Sequence, residues 1–503
     1  MATPVPDGVL AELGSTGGGA DTLALLVRDQ DTRRLLLLRA VLDAADAADP
    51  AVCSAERKAR LREDWALLAE ADRATPPRGT AARPSGAHHR PPVDARPPVD
   101  ARPPGVALSP ARARLFHPLT GPWALSCLRG LDDRERSPDE HGARRLRQDL
   151  AHFGAVAAVA AARAAIPFTV RLTARAGVLT LPSLGSLRTV GPGDAPVVLG
   201  HRDGRLTFRQ PDAPDVVVHL ESGIGAWSGA LAWTSVHALP GLLPGAAPMP
   251  LDDVDPYRIA PGPRHRTLGA PATLDDADCK RWLQAWSGTA AALRTGGEQR
   301  VAEASALLRC LVPLERPPGA GADGRDSCSA TRHEAFGALL ASPPQDAVAL
   351  AATLVHELHH AKLAALGDLV TLHHAPSEAR YFAPWKTVPR PYDSLLQGVY
   401  SHLALADYFQ RRALVAPPPD AEYAWSRHAR YRAQVAAALP ALVASPDLTV
   451  PGRLFVDEMT AAYERMAEHP APRDHTVRAQ AYVKAARALW TQRHAPALPR
   501  PKG

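Results

Sequence analysis

Ala347-Val348-Ala349-Leu350-Ala351-Ala352-Thr353-Leu354-Val355-His356-Glu357-Leu358-His359-His360-Ala361-Lys362-Leu363 is the stretch on which the reading of this 503-residue chain turns. It sets an H-E-x-x-H pattern, His356 to His360, inside a run of good helix formers. Residues four apart on a helix lie nearly one above the other. The two imidazoles therefore converge on one side, where they can share a metal ion with Glu357 beside them. Leu350, Leu354, Leu358, Ala361 and Ala365 form a separate apolar stripe on which the helix packs. The flanking residues are Ala, Leu and Val rather than Lys and Glu, which favours metal ligands over a solvated histidine pair.

A catalytic metal needs a third protein ligand and at least one open position. No third histidine follows at the metzincin place, since His360 is followed by Ala361, Lys362, Leu363, Ala364, Ala365 and Leu366. Glu378, in Ser377 to Arg380, is the near glutamate of a gluzincin-type set, but it precedes a Pro- and aromatic-rich loop. His402 is the better candidate. It sits in the helical pattern Ser394 to Phe409, with Leu395, Val399, Ala406 and Phe409 at helical spacing around it. Gly398 and Ala406, one turn before and after, leave room for an ion or small ligand. A satisfied core histidine is the other reading of such a residue.

Just ahead of the metal helix, Ala335 to Ser342 reads as a strand. In a zincin-like arrangement such a strand edges the cleft and pairs with an extended peptide; an interior strand is the alternative. Farther out, the fold class expected is α+β and helix-rich, with four stretches. Residues 1–74 form a helical N-terminal region, with helix over 20–72. Residues 75–105 form a disordered linker rich in Pro and Arg, in which Arg-Pro-Pro-Val-Asp-Ala repeats from Arg90 and Arg96. Residues 106–265 are a mixed α/β middle, and 266–503 a helix-rich catalytic region. In the middle, an Ala-rich helix over Leu146 to Ala165 precedes candidate strands at Phe168–Leu172, Val178–Leu181, Val197–Leu199, Leu206–Phe208 and Val216–Leu220. Asp203-Gly204 is a hairpin turn. Asp252, Asp253 and Asp255 lack EF-hand spacing and are read as loop anchors. Leu274 to Leu311 reads as helix, and so do Tyr423 to Leu442, Phe455 to Glu468 and Val477 to Trp490.

Lys and Arg number 58 against 52 Asp and Glu, and no basic run is interleaved with aromatics, so nucleic acid is not an expected partner. The five cysteines are scattered without C-x-x-C spacing, which argues against a disulfide framework and fits a reducing cytoplasm. Neither a signal peptide nor an apolar run of about 18 residues is found, so no membrane association is expected.

Several stretches together resemble a known family, the bacterial HExxH-motif proteins of ribosomal peptide natural-product clusters, described as 2-oxoglutarate-dependent peptide β-hydroxylases. The matching pieces are Leu251 to Arg258, Phe336-Gly337-Ala338, Leu350 to Leu363, Ala383-Pro384-Trp385-Lys386 through Pro389-Arg390-Pro391, and Leu395 to Asp407. This chain has Leu358 and His359 where the family generally has a bulky residue and Gln, and Lys386 where it usually has Arg. The resemblance implies Fe(II) held by His356, His360 and His402, with 2-oxoglutarate and O2 at the open positions. Arg390, or else Lys386, would bind the distal carboxylate of 2-oxoglutarate, Arg390 first because its guanidinium can clamp a carboxylate with two bonds. Glu357 would orient ligands, water or substrate rather than act as a base. The expected activity is hydroxylation of a side-chain β-carbon in a precursor peptide. The rival expectation is a zinc metallopeptidase with Glu357 as general base.

Overall fold

The structure, a computed structural model, describes residues 5–74, 109–132, 139–221, 224–259, 269–317 and 328–494. The expected linker at 75–105 and the Gly-rich loop at 319–324 lie outside these residues. The chain is mixed α+β and helix-rich, with thirteen α-helices and thirteen strands among the described residues. Contacts divide it into two units. One comprises Met1–Leu37, Pro118–Trp123 and Val236–Gly503, the other Leu38–His117 and Ala124–Ser235.

The first unit carries the motif. It begins with α1 (Asp7–Gly14), inside the region expected to be helical though ahead of the helix read over 20–72, and the first part of α2 (Ala20–Ala47). A five-stranded sheet then runs in the order β12 (Ser329–Ala330), β13 (Ala338–Ala341), β11 (Cys310–Pro313), β10 (Met249–Leu251), β9 (His237–Leu239). β10, β11 and β13 are parallel. Parallel neighbours need a long crossover, and α7 (Asp276–Thr295) with α8 (Glu298–Leu307) supplies the one from β10 to β11. The helix expected to run to Leu311 is therefore two helices and a strand. It breaks at Gly297, whose φ of 114° suits glycine, and Cys310 and Leu311 belong to β11.

The strand expected at Ala335 to Ser342 is corrected on two counts. A 3-10 turn at His333–Ala335 and Gly337 at φ 94° precede it, so the strand proper is Ala338–Ala341. It is also interior. Cys310 to Pro313 pair along one side, while Ser329 and Ala330 pair with Ala341 and Leu340 on the other. The reason is chemical: Ala338, Leu339, Leu340 and Ala341 are all apolar and at most 3% exposed, a composition for the inside of a sheet. The edge position belongs to β12.

Asp346 starts α9 (Ala347–Leu369), its carboxylate accepting the Ala349 N–H at 2.8 Å. The stripe read from the sequence is the buried one, with Leu350, Leu354 and Leu358 between 0 and 3% exposed. Each such leucine contributes about 1.5–3 kcal/mol by leaving water. α10 (Tyr392–Val415) packs on α9 and on α11 (Asp420–Val443), followed by α12 (Val450–Arg465) and α13 (Arg473–His494). Asp252, Asp253 and Asp255 are buried and accept backbone N–H groups of Val254, Asp255, Leu274 and Tyr257, which is loop anchoring.

The second unit holds α3 (Ala55–Arg73), α4 (Pro110–Leu115) and α6 (Glu140–Arg163), with α5 (Thr120–Leu131) straddling the division. The strands are β1 (Phe168–Ala174), β2 (Val178–Leu181), β3 (Gly185–Arg188), β4 (Ala195–Arg202), β5 (Arg205–Arg209), β6 (Val216–Leu220), β7 (Ala226–Trp227) and β8 (Trp233–Ser235). They make an antiparallel sheet β1-β4-β5-β6-β7 and a smaller one, β2-β3-β8. Each strand foreseen in the middle region is present. Asp203 and Gly204, at φ 49° and 71°, close the β4–β5 hairpin as a two-residue turn with both φ positive. Ala155, Ala158, Val159 and Ala162 of α6 cluster with Leu172, Leu199 and Phe208 of the sheet.

Among the described residues no helix is long and apolar enough to cross a membrane. Cys53, Cys127, Cys279 and Cys328 are free thiols.

Candidate metal centre

α9 and α10 place the three candidate imidazoles at one cleft of about 460 Å3. His356 and His360 lie one turn apart, with their Nε2 atoms 3.2 Å apart. Two nitrogens each roughly 2.0–2.1 Å from one ion stand about 3 Å from each other, so this separation suits shared ligation. The His402 ring centroid is 5.5 Å from that of His356. Among the described residues the three do not form a closed ligand cage. The pair is close and the third ring faces it across the cleft.

Hydrogen bonds set the tautomers. The Nδ1–H of His402 donates to the Gly398 carbonyl at 2.7 Å, and the Nδ1–H of His360 donates to Gln397 Oε1 at 3.1 Å. Each thereby keeps its Nε2 lone pair for a metal. His356 Nδ1 is buried without a partner. Burial, then the neighbouring His360 and His402, hold His356 well below the usual imidazole range. Burial also pulls His402 down to about 4. Both are neutral at physiological pH, the form that binds metal. The donor set therefore fits a first-row divalent ion, iron or zinc.

Glu357 is 3% exposed, and its Oε1 accepts the Ser329 hydroxyl at 2.7 Å. Ser329 and Ala330 of the edge strand β12 line the same cleft. Arg390 and Lys386 line it too. Arg390 is half-buried, fixed by a backbone bridge with Tyr381, and makes no ion pair among the described residues, whereas Lys386 is exposed. Glu378 is exposed and is not among the residues lining the cleft.

Gly398 lines the same cleft, but the space its missing side chain leaves is filled. A Cβ there would come within 2.5 Å of Trp385, whose indole stacks on His402 with centroids 4.3 Å apart at 21°. This corrects the expectation drawn from the small residue: the gap exists to admit a tryptophan. Gln397, Trp385 and Ser329 had no role in the sequence reading. Gln397 is a polar residue in the otherwise apolar run Leu395 to Val399, a signal that was available. The Ser329 contact had none, because sheet pairing alone brings it to Glu357.

The far side of α9 is ionic. Arg300, 1% exposed, binds Glu303 at 3.1 Å, Asp407 at 2.8 Å and the Thr16 carbonyl at 2.7 Å. Lys362, fully buried, donates to Glu303 at 3.0 Å and to the Gly17 carbonyl at 2.9 Å, and burial lowers it to about 8. His359 points the same way, its Nδ1–H donating to Val355 O and its Nε2 accepting from Arg300 at 3.1 Å.

Neither a scan against protein-family models nor a search of curated proteins found a match to this chain.

Proposed function

We propose that this chain is an Fe(II)- and 2-oxoglutarate-dependent oxygenase that hydroxylates a side-chain β-carbon of a ribosomally made precursor peptide. The observation that carries the reading is that neutral imidazoles and a half-buried arginine, without an ion pair among the described residues, open into one cleft. His356, His360 and His402 would hold the iron. Bound there with 2-oxoglutarate and O2, it supplies the oxidising power to replace an unactivated C–H by C–OH, while the 2-oxoglutarate leaves as succinate and CO2.

The chain's own residues position and shield. Arg390 would hold the distal carboxylate of 2-oxoglutarate, and Lys386 would add positive charge beside it. Gln397 holds the His360 ring, and Trp385 holds that of His402 while walling off water. The β12 edge lies along the cleft, where an extended peptide can take up its backbone hydrogen bonds. Glu357 is engaged by Ser329, so its task here is to keep that edge and the histidine helix in register.

Glu357→Gln tests the reading. Wild type and variant are incubated with iron, ascorbate, 2-oxoglutarate and a candidate precursor peptide, and succinate and peptide mass are followed. Glutamine still accepts from Ser329, so iron and 2-oxoglutarate turnover persist and the peptide gains one oxygen. A metallopeptidase needs this carboxylate to deprotonate metal-bound water. Zinc-dependent cleavage that ignores 2-oxoglutarate and vanishes in Glu357→Gln would replace the oxygenase by a zinc metallopeptidase.

A further inference from the structure

The five strands of the second unit's larger sheet contain four arginines and no acidic residue, and all four arginines point to the face away from the core. Beyond a short outer pair, Thr173 and Pro196, pairing arranges this face in three rows. The middle row runs Thr169, Gly200, Thr207, Val217 across four strands. On one side lie Arg171, Val198 and Arg209, and on the other Arg202, Arg205, His219 and Trp227. Gly200 leaves the centre of the middle row without a side chain, so the face is a trough with arginines along both walls. A depression of about 820 Å3 lies over it, reached by Thr169, Gly200, Arg202, Arg205, Thr207 and Arg209. Asp215 takes one bond from Arg209 at 3.2 Å, and Asp203 stands in the turn beyond Arg202. The positive charge of the face is otherwise uncompensated by its own strands.

We propose that this trough binds an acidic peptide segment in extended conformation. Along a strand, residues two apart are about 6.8 Å apart, so the arginine rows flank the trough on both sides at roughly that distance. An extended peptide sends successive side chains to opposite sides, so carboxylates on one strand of peptide reach both walls. Guanidinium groups bind carboxylates through paired hydrogen bonds, and the Thr169 and Thr207 hydroxyls supply partners for peptide backbone. Single-stranded nucleic acid fits less well, because its bases need aromatic rings along the path, and the floor is Thr-Gly-Thr. Trp227, 53% exposed and stacked on His219 at 4.7 Å, stands in one wall rather than on the floor.

Gly200→Val separates shape from charge. A Cβ at Gly200 meets nothing nearer than 3.8 Å, and valine suits a strand better than glycine, so the fold is kept while the trough is filled. The probe is a fluorescein-labelled peptide of about twelve residues built of Glu-Glu-Ser-Ser repeats, which sends carboxylates to both sides and is long enough to cross the sheet at roughly 3.4 Å per residue. Its Gln–Ser counterpart and an oligouridylate of similar length serve as competitors. Anisotropy is measured on the full chain in a metal chelator, so failure here leaves the iron reading untouched. Expected are binding of the Glu peptide that weakens with salt, loss of it in Gly200→Val at an unchanged or higher melting temperature, and weakening of about tenfold or more when Arg202 and Arg205 become Gln. Arg188→Gln, a charge removed from the other sheet, leaves binding intact. Unchanged affinity in Gly200→Val, equal affinity for the Gln–Ser peptide, or tighter binding of the oligouridylate would each overturn the proposal.

Discussion

Alanine at position 398 tests how the third histidine is held. A methyl group there would lie 2.5 Å from Trp385 Cζ2, 2.8 Å from Cε2 and 3.0 Å from Nε1. Carbon atoms settle at about 3.5–4.0 Å, so the indole must retreat by roughly 1 Å. Alanine favours a helix interior over glycine by about 0.8–1.0 kcal/mol, while overpacking costs about 1–3 kcal/mol. The net loss of stability is then between about 0 and 2 kcal/mol. The larger effect falls on the cleft. Trp385 can no longer stack on His402 at 4.3 Å, a contact of about 0.5–1.5 kcal/mol, and the ring keeps its bond to the Gly398 carbonyl and its edge contact with Tyr431. Iron affinity should fall by up to about tenfold, a 1.4 kcal/mol change. The assay pairs thermal melts with anaerobic iron titrations of wild type, Gly398→Ala, Trp385→Ala and the double variant. In the Trp385→Ala background the added methyl has nothing to strike, so it becomes neutral or stabilising. An equal penalty in both backgrounds, or wild-type iron affinity in Gly398→Ala, refutes the assignment of Trp385 as the support of His402.

Arg390→Ala should raise the apparent KM for 2-oxoglutarate by about 10- to 100-fold, the loss of a charged bidentate contact of roughly 1.5–3 kcal/mol. A larger effect at exposed Lys386 would move the carboxylate to that residue. Gln397→Leu removes the acceptor of the His360 Nδ1–H and should weaken metal binding by about 10- to 100-fold with little change in melting temperature; an unaltered metal titration would deny Gln397 its orienting role. In the second unit, burial raises Asp64 to about 7. The folded state then binds the extra proton between the ordinary carboxylate range and pH 7. The stability this gives is complete below about pH 3.9 and is lost as pH rises through 7. Asp64→Asn should therefore stabilise the chain by a few kcal/mol at pH 8 and by little at pH 4. Parallel melting curves for wild type and variant across that range would contradict the buried carboxyl.

The sequence was legible where the controlling interactions are local. The cap at Asp346, the leucine stripe and the four-residue histidine spacing of α9 all lie within one helix, and the Asp203-Gly204 turn with its flanking strands lies within one hairpin. Reading failed where a distant segment decides. Ala338–Ala341 is interior because Cys310–Pro313, farther back in the chain and beyond a Gly-rich stretch, pairs along one side, while Ser329–Ala330, only a short turn away, takes the other. A glycine beside a histidine reads as free space, although Trp385 from the preceding loop occupies it. The arginines of the sheet are spread through three strands, so no basic run marks them until pairing aligns Arg171 with Arg209 and Arg202 with Arg205.

The same contrast explains how a helix with an open side can hold its histidines steady. On the cleft face α9 is tied by the Ser329–Glu357 and His360–Gln397 hydrogen bonds, and the rest of its anchoring comes from its other sides. Its leucine stripe supplies most of the burial, but apolar contact is non-directional and tolerates small rotations. The ionic side does not. Lys362 reaches Glu303 and the Gly17 carbonyl, while Arg300 reaches Glu303, Asp407, the Thr16 carbonyl and His359, so α8, α9, α10 and the loop after α1 converge on one buried cluster. Buried charges left without partners cost several kcal/mol, so a turn of α9 that broke these bonds would be heavily penalised. His356 and His360 are thereby set in rotation by groups that never touch the cleft. Leu358 and His359, the two positions inside the motif, divide that work between core and cluster.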